Sequence, residues 1–379
     1  MGKIDDLIKE LCPDRVKYVK LGEVSDIKRG IRVIKKDLSV SGLYPVFQNS
    51  LIPLGYYDKT NCSANTTFII MAGAAGEIGY TDKPVWAADD CFYIDSKENL
   101  HNKYIYYFLL KRQHYLKSKV RKASIPRLSR EFVEKLQIPL PPLSIQQQIV
   151  EILDTFTDSI SNLQEELELR EKQMEYYIHQ ILSLKYLNQT DSSTKEIQLG
   201  DIGKICMCKR IMKNQTNSTS GIPFYKIGTF GKIADAYISN ELYSEYKRKF
   251  SFPQKGEILI SASGTIGRTV IYNGEDAYFQ DSNIVWIENS ENHVLNKYLY
   301  YCYKIMEWNT EGGTIQRLYN SNLAKMEIPV PSLSRQQEIV DILDTFESMI
   351  TNIKEEIELR QKQYEYYREK LLTFEKKGV

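Results

Sequence analysis

One stretch constrains this chain more than any other. SIQQQIVEILDTF begins at Ser144 and returns as SRQQEIVDILDTF at Ser334, 190 positions later. The likeness runs from Ile138 to Leu184 and from Ile328 to Phe374, with more than half of the positions identical. Tandem repeats of roughly 20–50 residues build solenoids. One duplication at this far longer spacing makes two halves of one architecture instead.

Each copy predicts a long helix. LPPL and VPSL hold the chain extended before it, because a residue preceding proline avoids the helical region. Ser144 and Ser334 then stand as N-caps, with Gln147 and Gln337 three residues on, where a capping box places them. Apolar residues follow in steps of four and three. The first seam is Ile149, Leu153, Phe156, Ile160, Leu163, Leu167, Arg170, Met174, Tyr177, Ile181 and Leu184. The second is Ile339, Leu343, Phe346, Ile350, Ile353, Ile357, Arg360, Tyr364, Tyr367, Leu371 and Phe374. A period near 3.5 residues held this long predicts a coiled coil. Arg170 and Arg360 interrupt both seams at the same step. A seam charge either fixes register or carries its head out to solvent, and the spacing leaves both open. Two equal halves in one chain favour an antiparallel intramolecular pair over two independent oligomerisation helices.

The segments before the helices echo each other faintly. KLGEV (Lys20–Val24) answers QLGDI (Gln198–Ile202), KYIYY (Lys103–Tyr107) answers KYLYY (Lys297–Tyr301), and SIPRL (Ser124–Leu128) answers TIQRL (Thr314–Leu318). Their middles diverge, as a common scaffold with different contact surfaces would. TTFIIMAG, CFYID, GEILISASG and NIVWIE are strand-like, and KYIYYFLLKRQHYLKSKV predicts a helix. The organisation expected is a first globular domain over 1–143, a helix over 144–187, a polar linker over 188–196, a second domain over 197–333 and a second helix over 334–379. GAAGEIG and SGTIG follow strands but match neither GxGxxG nor a Walker A pattern, and tight turns are the expectation there.

Composition narrows the function. The chain carries 50 Lys and Arg against 49 Asp and Glu, so it is no simple polycation. No run of about 18 apolar residues predicts a membrane span. The acids of MGKIDDLIKELCP do not suit a signal peptide. Six cysteines form no CxxC pair, so buried or incidental thiols in a reducing cytosol are expected. The charge is unevenly placed. Lys17–Gln137 holds 20 basic residues against 12 acids, Glu196–Glu327 holds 15 against 14, and both helical regions are net acidic. Globular parts that touch a polyanion, on helices that meet protein, fit this division. The dense basic clusters are Lys28, Arg29, Arg32, Lys35 and Lys36, then Lys117, Lys119, Arg121 and Lys122. In the second domain they are Lys209, Arg210 and Lys213, then Lys247, Arg248 and Lys249. Such residues neutralise phosphates. Gln48, Asn49, Gln280, Ser282 and Asn283 are polar candidates for reading base edges. Ordinary solvated faces are the competing explanation, and it is stronger for the second domain.

Two variable domains, each followed by a helix opening IPxPxLxxQQxIVxILD, resemble the specificity (S) subunit of type I restriction–modification systems. The resemblance covers essentially the whole chain. It implies an α+β, pseudo-two-fold symmetric fold of two mixed α/β target recognition domains separated by a long antiparallel two-helix coiled coil. It further implies a non-catalytic cytoplasmic subunit. Each domain would read one half of a bipartite site in double-stranded DNA. Two modification subunits would bring S-adenosylmethionine, and restriction subunits would bring ATP and Mg; no metal or cofactor is expected on this chain. The only Pro-Pro, Pro141-Pro142, lies between Leu140 and Leu143, not in the Asn/Asp-Pro-Pro-aromatic motif of an adenine methyltransferase. The competing expectation is a coiled-coil scaffold that never touches DNA. If the helices act as a ruler, Ile149 to Leu184 spans about 54 Å at 1.5 Å per residue. That length matches at most about 16 base pairs and admits half-sites about one DNA turn apart.

Overall fold

The computed structural model describes residues 15–311 and 316–375. Cys12, Thr314 and the first residues of the expected first domain lie outside them. The chain forms two compact units, Met1–Glu165 with Glu355–Val379, and Glu166–Lys354. Each unit therefore combines one domain, the opening part of the helix that follows it and the closing part of the other long helix.

In the first unit, β1 (Tyr18–Lys20) pairs antiparallel with β9 (Gln137–Pro139), so the domain's two ends meet. The short turn LGEV follows β1. Between these ends, β2 (Ser25–Arg29), β8 (Cys91–Ser96), β5 (Thr66–Ile70) and β6 (Ile78–Thr81) make an antiparallel four-stranded sheet in the order β2-β8-β5-β6. All five residues of β5 are buried, as suits a strand covered on both faces. The helix Asn102–Ser118 lays Tyr104, Ile105, Tyr107, Phe108, Leu109 and Leu116 into this core. A smaller sheet joins β3 (Tyr44–Phe47) to β4 (Gly55–Tyr57) antiparallel and to β7 (Trp86–Ala87) parallel.

The second unit repeats this plan. There β10 (Lys195–Gln198) pairs with β18 (Glu327–Val330), which places QLGDI where KLGEV stands in the first unit. The main sheet is β11 (Lys204–Met207), β17 (Ile284–Glu288), β14 (Ile258–Ser261) and β15 (Thr269–Ile271). The small sheet is β13 (Tyr237–Ile238), β12 (Ile222–Tyr225) and β16 (Tyr278–Phe279), again with one parallel pair. All four strand-like runs of the sequence are strands, β5, β8, β14 and β17. The divergent middle shows as an added helix, Asn240–Lys249, capped by Ser239.

The long helices are Leu143–Ile181 and Leu333–Leu371. They run antiparallel inside each unit. In the first, Phe156 stacks on Tyr367 at 5.2 Å. In the second, Phe346 stacks on Tyr177 at 5.6 Å and Lys354 pairs with Glu171 at 2.8 Å. These are one contact with its roles exchanged across the repeat. The ends of the seams enter the domain cores. Ile149, Leu153 and Leu371 are buried in the first core, and Ile181, Ile339 and Leu343 in the second. Toward the middle, Ile160, Leu163, Leu167, Ile350, Ile353 and Ile357 are half-buried. Arg170 reaches Glu166 and Gln173, while Arg360 reaches Glu356 and Gln363. Each seam arginine thus turns its head along its own helix, which favours the solvent-directed alternative.

Both ends of each long helix differ from the expectation. The helices start one residue early, so Ser144 and Ser334 lie inside them. In the second unit Ser332 is the capping hydroxyl, accepting from Arg335 N–H and donating to Asp191 at 2.6 Å. Hydrogen bonds from Ser193 and Ser332 hold the Asp191 carboxyl well below the usual range. The capping-box glutamines Gln147 and Gln337 instead donate to Glu151 and Asp341 one turn on. The preceding Gln146 and Gln336 are fully buried and cross-link helix to domain: Gln146 accepts from His101 N–H and donates to the carbonyls of Asn99 and Pro141. At the far end the first helix stops at Ile181. Leu184–Thr190 is a separate helix capped by Ser183, and β10 begins at Lys195, so the segment expected as linker is largely structured. Leu184 is accordingly off the first rod, and Phe374 lies beyond the second.

A tyrosine clasp docks each domain on its helix. The Tyr107 hydroxyl donates to Asp154 at 2.5 Å and Lys103 pairs with Asp154 at 2.8 Å. In the second unit Tyr301 donates to Asp344, and Lys297 pairs with Asp344 at 3.0 Å. The copies differ beside the clasp. Leu110 and Thr157 in the first become Lys304 and Glu347 in the second, and those two form an ion pair. Burial pushes the Glu347 carboxyl up, but Lys304, Lys297 and Tyr301 outweigh it and leave it below its ordinary value. A depressed carboxylate contributes stability above its unfolded pKa and loses it as pH falls through the folded value. Glu347→Gln is therefore expected to cost about 1–3 kcal/mol at neutral pH, with a gap to the parent that closes as pH falls below the ordinary glutamate range. Thermal melts across pH 3–7 check this; a gap that stays constant would place the loss in packing instead.

Candidate nucleic-acid interface

The two units bring four segments together in the same way. In the first, Gln48 and Asn49 follow β3, Gly73–Gly76 follows β5, Ala88–Asp90 precedes β8, and a hairpin is closed by Arg121 and Arg127. Backbone hydrogen bonds tie them. Ala74 N–H donates to Asn49 O at 2.9 Å, Met71 N–H to Asp90 O at 2.7 Å, and Leu128 N–H to Met71 O at 2.8 Å. Gly73 has φ +85°, and a Cβ there would sit 2.8 Å from Asn49, so glycine is required for the close approach. The sequence GAAGEIG is thus a tight turn, as expected.

The second unit repeats the last two of these hydrogen bonds. Ala262 N–H donates to Asn283 O at 2.7 Å and Leu318 N–H to Ala262 O at 2.9 Å. The side chains are different. Gln280 spends its carbonyl on Ile227 N–H at 2.8 Å, so it orders the turn. Ser263 donates to Asn283 at 2.8 Å, and Arg317 donates to the Ser282 hydroxyl at 2.8 Å and to its carbonyl at 3.2 Å. Ser282 is held at φ +35°, an uncommon conformation for a residue with a side chain. Arg210 lies 3.9 Å from Asp281 beside the same turn.

The structure gathers some of the candidates and leaves others apart. Gln48, Asn49, Lys117, Arg121 and Lys122 share the first neighbourhood: Lys117 lies against Gly76 and pairs with Glu77 at 2.6 Å. Arg29 joins from its other side by donating to Asp89 O at 2.8 Å. Gln280, Ser282, Asn283 and Arg210 share the second. Lys28 is paired with Asp95 at 2.8 Å on the sheet. Arg32, Lys35 and Lys36 are exposed on the way into the small sheet. Lys119 covers the Tyr115 ring, and Lys209 covers Phe250. Lys213 lies in a separate turn, Lys213–Gln215. Lys247, Arg248 and Lys249 belong to the added helix, with Lys247 bound to the Tyr243 hydroxyl and Lys249 paired with Glu245. Density along the sequence therefore overstates the free cation. Arg127 and Arg317 were missed, although SIPRL and TIQRL signal them.

Other chemistry is sparse. Cys62, Cys91, Cys206, Cys208 and Cys302 are buried free thiols, and burial pushes Cys208 up to about 12. Among the described residues no group of three or more His, Cys, Asp or Glu is placed to hold a metal ion. No helix among them is long and apolar enough to cross a membrane.

A family model described as the type I restriction modification DNA specificity domain matches twice, over residues 13–171 and 192–359. A putative type I restriction enzyme specificity subunit of Haemophilus influenzae is 46% identical over 388 residues, 97% of this chain and 98% of that protein. A putative type I specificity subunit of Mycoplasma pneumoniae is 27% identical over 95% of this chain and 98% of its own length. The crystal structure of a type I restriction–modification S subunit from M. genitalium matches with a TM-score of 0.66 at 18% identity, covering 94% of this chain and 96% of that one. At that identity the likeness concerns the fold alone.

Proposed function

This chain belongs to the family of type I restriction–modification DNA specificity subunits, and from that premise we propose that each domain reads one half of a bipartite DNA site. The carrying observation is the four-segment cluster. One backbone frame appears in both units, dressed with Gln48, Asn49 and Asp90 in the first and with Ser263, Ser282 and Asn283 in the second. A constant frame with exchanged donors and acceptors is what two different base sequences require.

The chain acts without a catalytic centre of its own in this reading. S-adenosylmethionine chemistry comes from modification subunits, and ATP and Mg come with restriction subunits, all in the cytoplasm. Two modification subunits are supported by a repeated surface. The second unit exposes Leu169 (66%) and Tyr176 (64%), and the first exposes the equivalent Leu359 (50%) and Tyr366 (62%). Each pair is spaced i, i+7 on one helical face off the seam, and two equal apolar patches suit two copies of one partner.

Single-molecule sequencing of adenine methylation in cells with and without this chain tests the proposal. One bipartite motif, lost on deletion, is expected. Binding of the reconstituted complex to that motif should fall steeply with salt. A methylome unchanged by deletion, or binding indifferent to salt, overturns the reading.

A further inference from the structure

The hairpin closed by Arg121 and Arg127 has a feature that polar readout does not use. Its tip carries Ile125, 54% exposed, followed by Pro126. We propose that Ile125 is a minor-groove wedge that enters a base step beside the first half-site, while Arg121, Lys122 and Arg127 hold the flanking phosphates. This rests on the DNA-reading function proposed above.

Rigidity comes first. Arg121 N–H donates to Arg127 O at 2.8 Å, and Arg127 N–H returns to Arg121 O at 3.2 Å. Gly73 N–H donates to Pro126 O at 3.3 Å, and buried Leu128 is tied to Met71. The base of the hairpin is thus fixed to the end of β5, next to Asn49. Pro126 fixes its own φ and keeps Ile125 extended. A wedge needs such a support, since unstacking costs a few kcal/mol per step.

Charge comes second. Single exposed isoleucines are ordinary, but this one stands in a stretch, Lys117–Arg130, that holds six cations and no acid. Lys117 and Arg130 pair with Glu77 and Glu134. Arg121, Lys122 and Arg127 have no ion pair among the described residues. An apolar tip ringed by cations matches insertion between base pairs from the minor groove. At the tip only Ser124 could read a major-groove edge with its side chain, because Ala123, Ile125 and Pro126 offer no donor or acceptor.

The test uses the full chain assembled with its modification subunits, on duplexes carrying the methylated motif with 2-aminopurine at successive steps. Fluorescence should rise several-fold at one step beside the first half-site. Ile125→Leu should keep the rise and Ile125→Ala should abolish it. Arg127→Ala should keep the rise while lowering the salt slope by about one. No responding step, or a response unchanged in Ile125→Ala, overturns the wedge. So does Ile125→Ala releasing the modification subunits, which would make the tip a protein contact. If the parent complex prefers the motif over a scrambled duplex without unstacking, only the wedge falls. If it shows no preference, the DNA-reading function falls as well.

Discussion

A heptad inserted into both long helices, after Glu165 and after Lys354, should change the gap between the methylated half-sites and leave both half-sites intact. Seven residues add about 10.5 Å of helix, which corresponds to at most about three base pairs. A heptad also returns the seam to nearly the same face, within about 20°. The insertion sites fall where the two units divide the helices, so neither tyrosine clasp nor either aromatic stack is touched. The same insertion into one helix alone should abolish methylation. Both helices connect the same two units, and unequal connections cannot satisfy Phe156–Tyr367 and Phe346–Tyr177 together. Methylation sequencing of the three strains reads the result. An unchanged gap in the double insertion would end the ruler idea.

Exchanging residues 21–136 for those of a relative should replace one half-site entirely and spare the other. The junctions leave both strands of the β1–β9 ladder with the host, so that pairing is kept intact and the incoming segment starts and ends where the ladder brings the chain together. Each mismatched base pair costs about 1–3 kcal/mol, so a changed half-site of several positions amounts to a complete switch. The donor should carry an apolar residue where Leu110 stands. A lysine there, as Lys304 is in the second domain, would face Thr157 without the carboxylate that Glu347 supplies. Changes in both half-sites would contradict independent reading.

The sequence showed what depends on local period. The seams, their antiparallel pairing within each unit and the matched domain ends all followed from spacing and repetition. Partners brought from far along the chain were not legible. Gln146 and Gln147 are neighbours of one type, yet the first is buried across to Asn99 and His101 while the second faces solvent. Gln280 is a base-reading candidate because it is polar and near a turn, and the sequence does not show that its carbonyl oxygen is taken up by Ile227 N–H. The basic clusters were counted without their acids. Asp95 and Glu77 come from another strand and another turn to Lys28 and Lys117, and only three-dimensional packing pairs them; Glu245 stands one helical turn before Lys249.

Leu371 and Leu372 complete the core of the unit that holds the first domain. A ribosome adding roughly 5–20 residues per second needs about 10–40 s to pass from Glu165 to those leucines. Through that interval the first domain waits with an open apolar flank around Ile149 and Leu153. Synthesis therefore leaves it a client for chaperones until its distant closing segment emerges, and nonsense mutations late in the message would damage the earliest-made domain.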